Sequence, residues 1–267
     1  MRTAVLISGG LDSAVLLAEE AARPENESVQ PIYVSVGLAW EDAERKALGA
    51  LLAAEPLVGR TRPLTTLSVD MRDVYRADHW AIEGNPPRYH TPDEDVYLPG
   101  RNVILLGKAG VYCAAAGLDR LVIGTLAHNP FPDATPAFRS AMATALSLGL
   151  AHPLAIDAPF AGSGKAEVIR RGAALGVPLR VTLSCMDPRE VVQEVRRVQE
   201  VRKVREPVEP LEPLEPSEPL LVHCGTCSKC RERHDAFVEA GIVDDTDYVD
   251  RSHVGTGSRV YTNWPAT

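Results

Sequence analysis

Two short stretches hold residues whose types and spacing can do chemistry. The first, Ser8-Gly9-Gly10-Leu11-Asp12-Ser13, lies between an apolar run, "TAVLIS", and an apolar helical pattern through Ala14, Leu16, Leu17 and Ala18. Glycines at a strand-to-helix junction let backbone N–H groups come close to an anion, and the helix N-terminus adds a favourable dipole. Ser8 and Ser13 can donate hydroxyl hydrogen bonds. Asp12 would repel phosphate directly, so its natural task is to hold a Mg²⁺ that bridges phosphate oxygens. The stretch is neither the longer lysine-bearing P-loop nor the dinucleotide fingerprint. A plain turn in which Asp12 or Ser13 caps the helix is the alternative, but the complete hexapeptide at a first strand–helix junction favours nucleotide phosphate. The second stretch is "HCGTCSKC", where Cys224, Cys227 and Cys230 form a C-x2-C-x2-C run. One more ligand completes a tetrahedral zinc site, and Cys185 in "TLSC" is the best fourth. His223, adjacent to Cys224, would need an awkward geometry, and Cys113 lies inside an apolar helix as a core thiol. Four thiolates leave no open coordination position, so the site is expected to be structural, with an iron–sulfur cluster as the competing occupant.

These residues need a scaffold, and the pattern around them supplies one. "TAVLIS" and "VQPIYVSV" read as buried strands, short, β-branched and uncharged. "TRPLTTLSV" and "RLVIGT" read as two more. "AWEDAERKALGALLAA", "NVILLGKAGVYCAAAGL", "TPAFRSAMATALSLGL" and "KAEVIRRGAALGV" show helical spacing. The segment from "MRDVY" to "DEDVYLPG", rich in Pro, His and Asp, reads as a long loop or lid. Strands alternating with helices predict an α/β, doubly wound, mostly parallel sheet, which binds ligands at the carboxyl ends of its strands.

The chain has 267 residues, 45% of them hydrophobic, and a formal net charge of -8. That is enough for one large α/β domain or a domain plus a small module. The acidic balance argues against a broad nucleic-acid surface, so no stable nucleic-acid complex is expected. No apolar window is long enough to span a membrane. The N-terminus runs straight into a strand pattern without a signal-peptide start, so a cytoplasmic location is expected.

After Cys185 the composition changes. Val recurs at 191, 192, 195, 198, 201 and 204 with charges between, and "EPVEPLEPLEPSEPL" then places Pro at 207, 210, 213, 216 and 219. A three-residue Pro repeat matches polyproline II and cannot be a helix interior. It reads as a semi-rigid spacer, or else as a docking strip. The expected organisation is therefore a catalytic domain over 1–185, an insertion over 186–222, and a cysteine-bearing C-terminal module with its tail over 223–267.

SGGLDS resembles the signature of the N-type ATP pyrophosphatases, or PP-loop enzymes, whose fold is the adenine nucleotide alpha hydrolase type. These cleave ATP between the α and β phosphates and attach AMP to an oxygen of the substrate. The resemblance implies that Ser8, Gly9, Gly10, Leu11, Asp12 and Ser13 hold pyrophosphate and its Mg²⁺. Taken with Pro99-Gly100-Arg101-Asn102, with the helix start Gly164-Lys165-Ala166-Glu167, and with a cysteine before a gap followed by "CGTCSKC" and an Arg-rich helix, it narrows. The chain resembles the 7-cyano-7-deazaguanine synthase family over nearly its whole length, apart from the insertion and the C-terminal tail.

This resemblance implies ATP, Mg²⁺ and Zn²⁺ as cofactors and a small-molecule carboxylate with ammonia as reactants. The carboxylate of 7-carboxy-7-deazaguanine is adenylated, ammonia displaces AMP, and a second activation dehydrates the amide to the nitrile. Charge building at the α-phosphate needs fixed cations, for which Lys165 and Arg101 are the candidates beside Asp12. Asn102 and Gly124 complete the expected nucleotide contacts. A homodimer is the candidate assembly.

The chain departs from the family in one loop. The family carries an acidic residue and a "YPDCR" element after the strand that here reads "RLVIGT", whereas this chain reads "LAHNPFPDATPAF". Phe131, Pro132 and Asp133 match part of the element, and Ala134 and Thr135 replace its Cys-Arg. His128, Phe131 and Asp133 are the substrate candidates, with His128 either reading the substrate or packing in its loop. His90, Asp93, Glu94 and Asp95 in "YHTPDED" either line a metal or ammonia site or form a solvated acidic loop. The rival readings are a PP-loop enzyme acting on another carboxylate, a tRNA-thiolating PP-loop enzyme, and a nucleotide-binding scaffold without catalysis.

Overall fold

The chain enters its first strand at β1 (Arg2–Leu6) and turns through Ile7–Gly10 into α1 (Leu11–Ala22). The computed structural model describes residues 1–191 and 220–253. The Glu-Pro repeat and the Val stripe beyond Val191 lie outside the described residues. After α1 come β2 (Ser28–Ser35), α2 (Glu41–Leu52), β3 (Thr65–Ser68), a short α3 (Trp80–Glu83), α4 (Arg101–Ala116), β4 (Arg120–Val122), α5 (Pro136–Gly149), β5 (Ala155–Asp157) and α6 (Lys165–Ala174). A short ribbon, β6 (Arg189–Val191) against β7 (Leu220–Val222), and α7 (Ser228–Ala240) follow.

The main sheet has the order β3-β2-β1-β4-β5, and every pairing in it is parallel. The chain steps outward from β1 to β3, then crosses over to β4 on the far side of β1. The order reverses between β1 and β4, and a doubly wound sheet binds its ligand at that switch point. Both faces are covered, which is why the strands read as unbroken apolar runs. Successive residues of β1 and the adjoining Ile7 point to opposite cores: Ala4 and Leu6 join Leu106, Ala109 and Cys113 of α4, while Val5 and Ile7 join α1 and α6.

The predicted doubly wound α/β fold is present. Two elements differ from the expectation. β5 carries no apolar run in the sequence, because only Ile156 of its three residues is buried. The segment over 71–100 is irregular but is no detached lid, since Met71, Tyr75, Ala81, Val96 and Leu98 are buried in the main core. The segment is a wall.

Helix α7 is tied to the body by Arg233, which is 0% exposed. Its Nε donates to Thr246 Oγ1 (2.8 Å), Nη1 to Thr182 Oγ1 (2.9 Å) and Nη2 to the Leu179 carbonyl (2.7 Å). The guanidinium also lies over the Phe237 ring, 5.2 Å from its centroid. Phe237 and Ala236 in turn belong to the cluster built on α1 and α6. Truncation at Arg233 would strand several buried acceptors, so Arg233→Ala is expected to lose about 3 kcal/mol or more of stability in urea unfolding, and Arg233→Lys, which lacks the planar fork, to recover only part of it.

Candidate active site

A cavity of about 360 Å³ opens at the carboxyl ends of β1 and β4. It gathers Ser8, Gly10, Leu11, Asp12, Arg101, Asn102, Gly124, His128, Phe131, Asp133 and Lys165. Ser13 lines an adjoining cavity of about 240 Å³ that shares Ser8, Gly10, Asp12 and Arg101 with it. First-turn residues of four helices, α1, α4, α6 and α7, reach the larger cavity. Three of these helices start at a glycine, Gly10, Gly100 and Gly164, with no side chain capping the first turn. Helix N-termini assembled in this way favour an anion.

The loop over 8–13 is closed by its own hydroxyls. Ser8 Oγ accepts from the Gly10 N–H (3.3 Å), and Ser13 Oγ accepts from the Ser8 N–H (3.3 Å) while donating to the Gly10 carbonyl (3.0 Å). Neither Asp12 nor Ser13 caps α1, because the N-cap position is Gly10. Gly9 has a φ of 77°, and a Cβ there would sit 3.0 Å from the Glu44 carbonyl. Only glycine turns the chain here without strain. Its carbonyl accepts from the Leu183 N–H at 2.8 Å, which fixes the loop from behind.

Lys165, the first residue of α6, points its ammonium between two carboxylates. Nζ donates to Asp12 Oδ2 (3.0 Å) and to Glu232 Oε1 (2.6 Å). Burial by itself would drive this ammonium towards neutrality, but Asp12 and Glu232 outweigh it and raise its pKa. Burial likewise disfavours the charge on Glu232, and Lys165 and Lys229 reverse that, holding the carboxyl at about 2. Asp12 Oδ1 and Arg101 Nε are both buried without a hydrogen-bond partner. An acceptor and a donor left open on one cavity suit a cation and an anion arriving together.

Asn102 is held by Asp133: its N–H donates to Asp133 Oδ2 at 3.0 Å, and its side-chain amide donates to the Asp133 carbonyl at 3.2 Å. The Asp133 carboxylate thus anchors the start of α4, which positions Arg101. Glu44, on α2, was not singled out from the sequence. It lines both cavities and accepts from Tyr33 Oη (2.8 Å) and Trp40 Nε1 (3.1 Å). Burial pushes its carboxyl up to about 7, against the pull of Arg101.

Part of the remaining cavity wall is aromatic. Trp40 stacks on Trp80 with ring centroids 5.8 Å apart, and Tyr97 stacks on Phe131 at 4.9 Å. His128 sits exposed in a turn with a φ of 59° and lines the cavity rather than packing beneath the loop. Thr135 caps α5 by accepting from the Phe138 N–H at 3.2 Å. His90, Asp93, Glu94 and Asp95 are all exposed, and Asp93 pairs with Arg231 of α7 at 2.9 Å. Lys229 and Glu232, also of α7, line the cavity and were not read from the sequence.

Cys185, Cys224, Cys227 and Cys230 are buried, free of disulfides, and have their sulfur atoms within 4.8 Å of one another. Cys224 and Cys230 stand 3.8 Å apart, and Cys227 and Cys230 3.5 Å. Thiolates about 2.3 Å from one tetrahedral centre would be spaced at about 3.8 Å. The cluster could hold a metal. Cys185 Sγ accepts backbone N–H groups of Cys224 (3.2 Å) and Asp187 (3.3 Å), the outer contacts expected around a thiolate. The ribbon of β6 and β7 lies just inside these cysteines and pairs the two ends of the insertion, Arg189 opposite Val222. Gly225, at a φ of 82°, leaves no room for a side chain, since a Cβ would lie 1.9 Å from the Asp250 carbonyl oxygen. His223 is outside the cluster: it is buried, its Nε2 accepts from the Ser184 N–H at 3.1 Å, and burial pushes its pKa well down. Cys113 is fully buried in the core, which raises its thiol to about 12.

A family model described as queuosine biosynthesis protein QueC matches residues 2–197. A 7-cyano-7-deazaguanine synthase of Anaeromyxobacter sp. (strain Fw109-5) is 32% identical over 261 residues, covering 94% of this chain and 97% of that protein. One of Methanothrix thermoacetophila is 28% identical over 262 residues, covering 92% and 98%. Among solved structures, U34-tRNA thiolase NcsA from Methanococcus maripaludis with its [4Fe-4S] cluster is 16% identical with a TM-score of 0.39, covering 67% of this chain and 58% of that one.

Metal analysis of the purified protein is expected to return about one tightly held ion per chain, lost in Cys227→Ala together with thermal stability. The raised Glu44 carboxyl makes stability depend on pH. Its folded-state pKa of about 7 lies above the ordinary glutamate value of 4.5, so its contribution is complete below 4.5 and is lost as pH rises through 7. Urea unfolding of wild type and Glu44→Gln across that range is expected to show wild type losing ground steadily, by an amount on the order of 3 kcal/mol.

Proposed function

Because the chain belongs to the queuosine biosynthesis protein QueC family, we propose that it is an ATP-dependent, AMP-forming ligase that converts 7-carboxy-7-deazaguanine to 7-cyano-7-deazaguanine. The single observation that carries the ATP chemistry is the pairing of an open acceptor, Asp12 Oδ1, with an open donor, Arg101 Nε, on a cavity ringed by helix N-termini at the switch point. Asp12 is the residue to hold Mg²⁺, and Ser8, Gly9, Gly10, Leu11 and Ser13 cradle the pyrophosphate. Lys165 and Arg101 meet the charge that builds at the α-phosphate, with Asn102 and Gly124 beside the nucleotide.

A carboxylate oxygen is a poor leaving group. Its attack on the α-phosphate expels pyrophosphate and leaves an acyl adenylate, from which ammonia displaces AMP to give the amide. A second adenylation, at the amide oxygen, then lets AMP depart with that oxygen as the amide nitrogen loses its protons, which yields the nitrile. Trp40, Trp80, Tyr97 and Phe131 offer flat apolar surface for a fused heterocycle, and the exposed His128 reads its polar edge. Asp133 serves this site indirectly, through its hold on Asn102.

The four cysteines bind zinc as a closed structural site, which supplies no open position for chemistry. A colourless protein with bound zinc supports this, and a visible absorption band from iron and sulfide goes against it. The domain over 1–185 carries the nucleotide loop, and the module from 223 onward adds Lys229 and Glu232 to its cavity. A homodimer is supported by the outer face of α5, where Ala137, Ala141, Thr144, Ala145 and Leu148 are exposed and uncharged. One observation favours a second reading. Thr135 stands where the family has an arginine and is spent on capping α5, which suits a related carboxylate as substrate.

Protein incubated with ATP, Mg²⁺, ammonium and 7-carboxy-7-deazaguanine is expected to form AMP, pyrophosphate and the nitrile, resolved by chromatography and mass spectrometry. Asp12→Asn should lower turnover on the order of a hundredfold or more. AMP release without nitrile would leave the ATP chemistry standing and transfer the assignment to the second reading.

A further inference from the structure

The geometry points to Lys229 as a further phosphate-binding lysine, brought to the nucleotide site by the helix that starts within the cysteine cluster, with Glu232 positioning it together with Lys165. The inference rests on the reading of this cavity as an ATP site. Neither residue belongs to SGGLDS, to the Pro99–Asn102 element or to the helix start at Lys165.

The Glu232 carboxylate is shared between two ammonium groups. Oε1 accepts from Lys165 Nζ at 2.6 Å and Oε2 from Lys229 Nζ at 2.5 Å, while Lys165 reaches on to Asp12 Oδ2 at 3.0 Å. Asp12, Lys165, Glu232 and Lys229 thus form a chain of alternating charge along one cavity wall. Their side chains are 14% to 28% exposed, withdrawn from bulk water but open to the cavity. If Asp12 turns to a divalent cation, Lys165 is released towards an anion, and Glu232 still holds both ammonium groups on the two oxygens of one planar carboxylate. Lysines spaced in that way can meet neighbouring oxygens of one polyphosphate.

An ordinary ion pair three residues apart on a helix surface is worth little and faces solvent. This pair instead lines the cavity that the 8–13 loop also lines, and Glu232 reaches that loop's Asp12 through Lys165. Lys229 also lies between Cys227 and Cys230, so its backbone is held by the cluster on both sides before any nucleotide arrives. Because the charge chain ends on Asp12, the inference sets Lys229 on the pyrophosphate side of the site, and the titrations below test that.

The test is calorimetric titration of the full chain with Mg²⁺·ATP, Mg²⁺·pyrophosphate and AMP, with metal content and thermal stability measured alongside. Lys229→Met is expected to weaken ATP and pyrophosphate on the order of tenfold, the factor carried by one charge-assisted hydrogen bond, and to leave AMP binding and metal content unchanged. Glu232→Gln is expected to show the same pattern and to raise the KM for ATP more than it lowers kcat. Unchanged pyrophosphate affinity in Lys229→Met, or an equal loss for AMP and pyrophosphate, overturns the inference and leaves the ATP reading intact. A wild-type protein that binds neither ATP nor pyrophosphate overturns both.

Discussion

The site depends on one ammonium group held between two distant carboxylates. Lys165 meets Asp12, 153 positions earlier, and Glu232, 67 positions later. At 14% exposure its side chain would favour the neutral form, and the two carboxylates keep it charged. The contact joins three pieces that share no local sequence: the loop after the first strand, the start of α6, and the helix that follows the cysteines. If any of them shifts, the cavity loses a charged group and its geometry together.

The sheet makes this meeting possible. A parallel order that reverses between β1 and β4 leaves a crevice where the loop over 8–13 and the loop at Gly124 face each other. Crossover helices then start at that end, and glycine at the cap positions of α1, α4 and α6 leaves their first turns without a side-chain acceptor. Anion affinity is therefore a property of the whole edge of the sheet, which SGGLDS completes. Arg233 and the cysteine cluster hold α7 in place from the other side, so the segment that brings three of the four clustered cysteines also walls the site.

Much of this was legible in the sequence because the signals were local. Apolar runs four to eight residues long marked the longer strands, and C-x2-C-x2-C spacing marked three cysteines that one turn can bring to a common centre. Cys185 was legible as the fourth because so few cysteines remained. The strand β5 was not, since only Ile156 of its three residues is buried, whereas the equally short β4 is buried throughout and runs on into an apolar stretch. The 71–100 segment was read as a loop or lid because Pro, His and Asp dominate it. Its scattered Met71, Tyr75, Val96 and Leu98 are nevertheless buried, without periodic spacing.

The sequence by itself determined the chemistry on offer: a glycine-rich loop suited to an anion, an aspartate suited to a cation, two candidate cations, and four thiols able to cluster. Those follow from side-chain type and short spacing, which do not depend on how the chain folds back on itself. Only the tertiary structure decided which charges face one another. Glu44, Lys229 and Glu232 look like ordinary charged helix residues when read along the chain, and their roles arise from long-range packing that withdraws them from water and aims them into one cavity. Asp133, read as a substrate candidate, is turned by the same packing onto the Asn102 backbone. Burial and charge partnership are pairwise properties across the fold, and a linear sequence does not carry them.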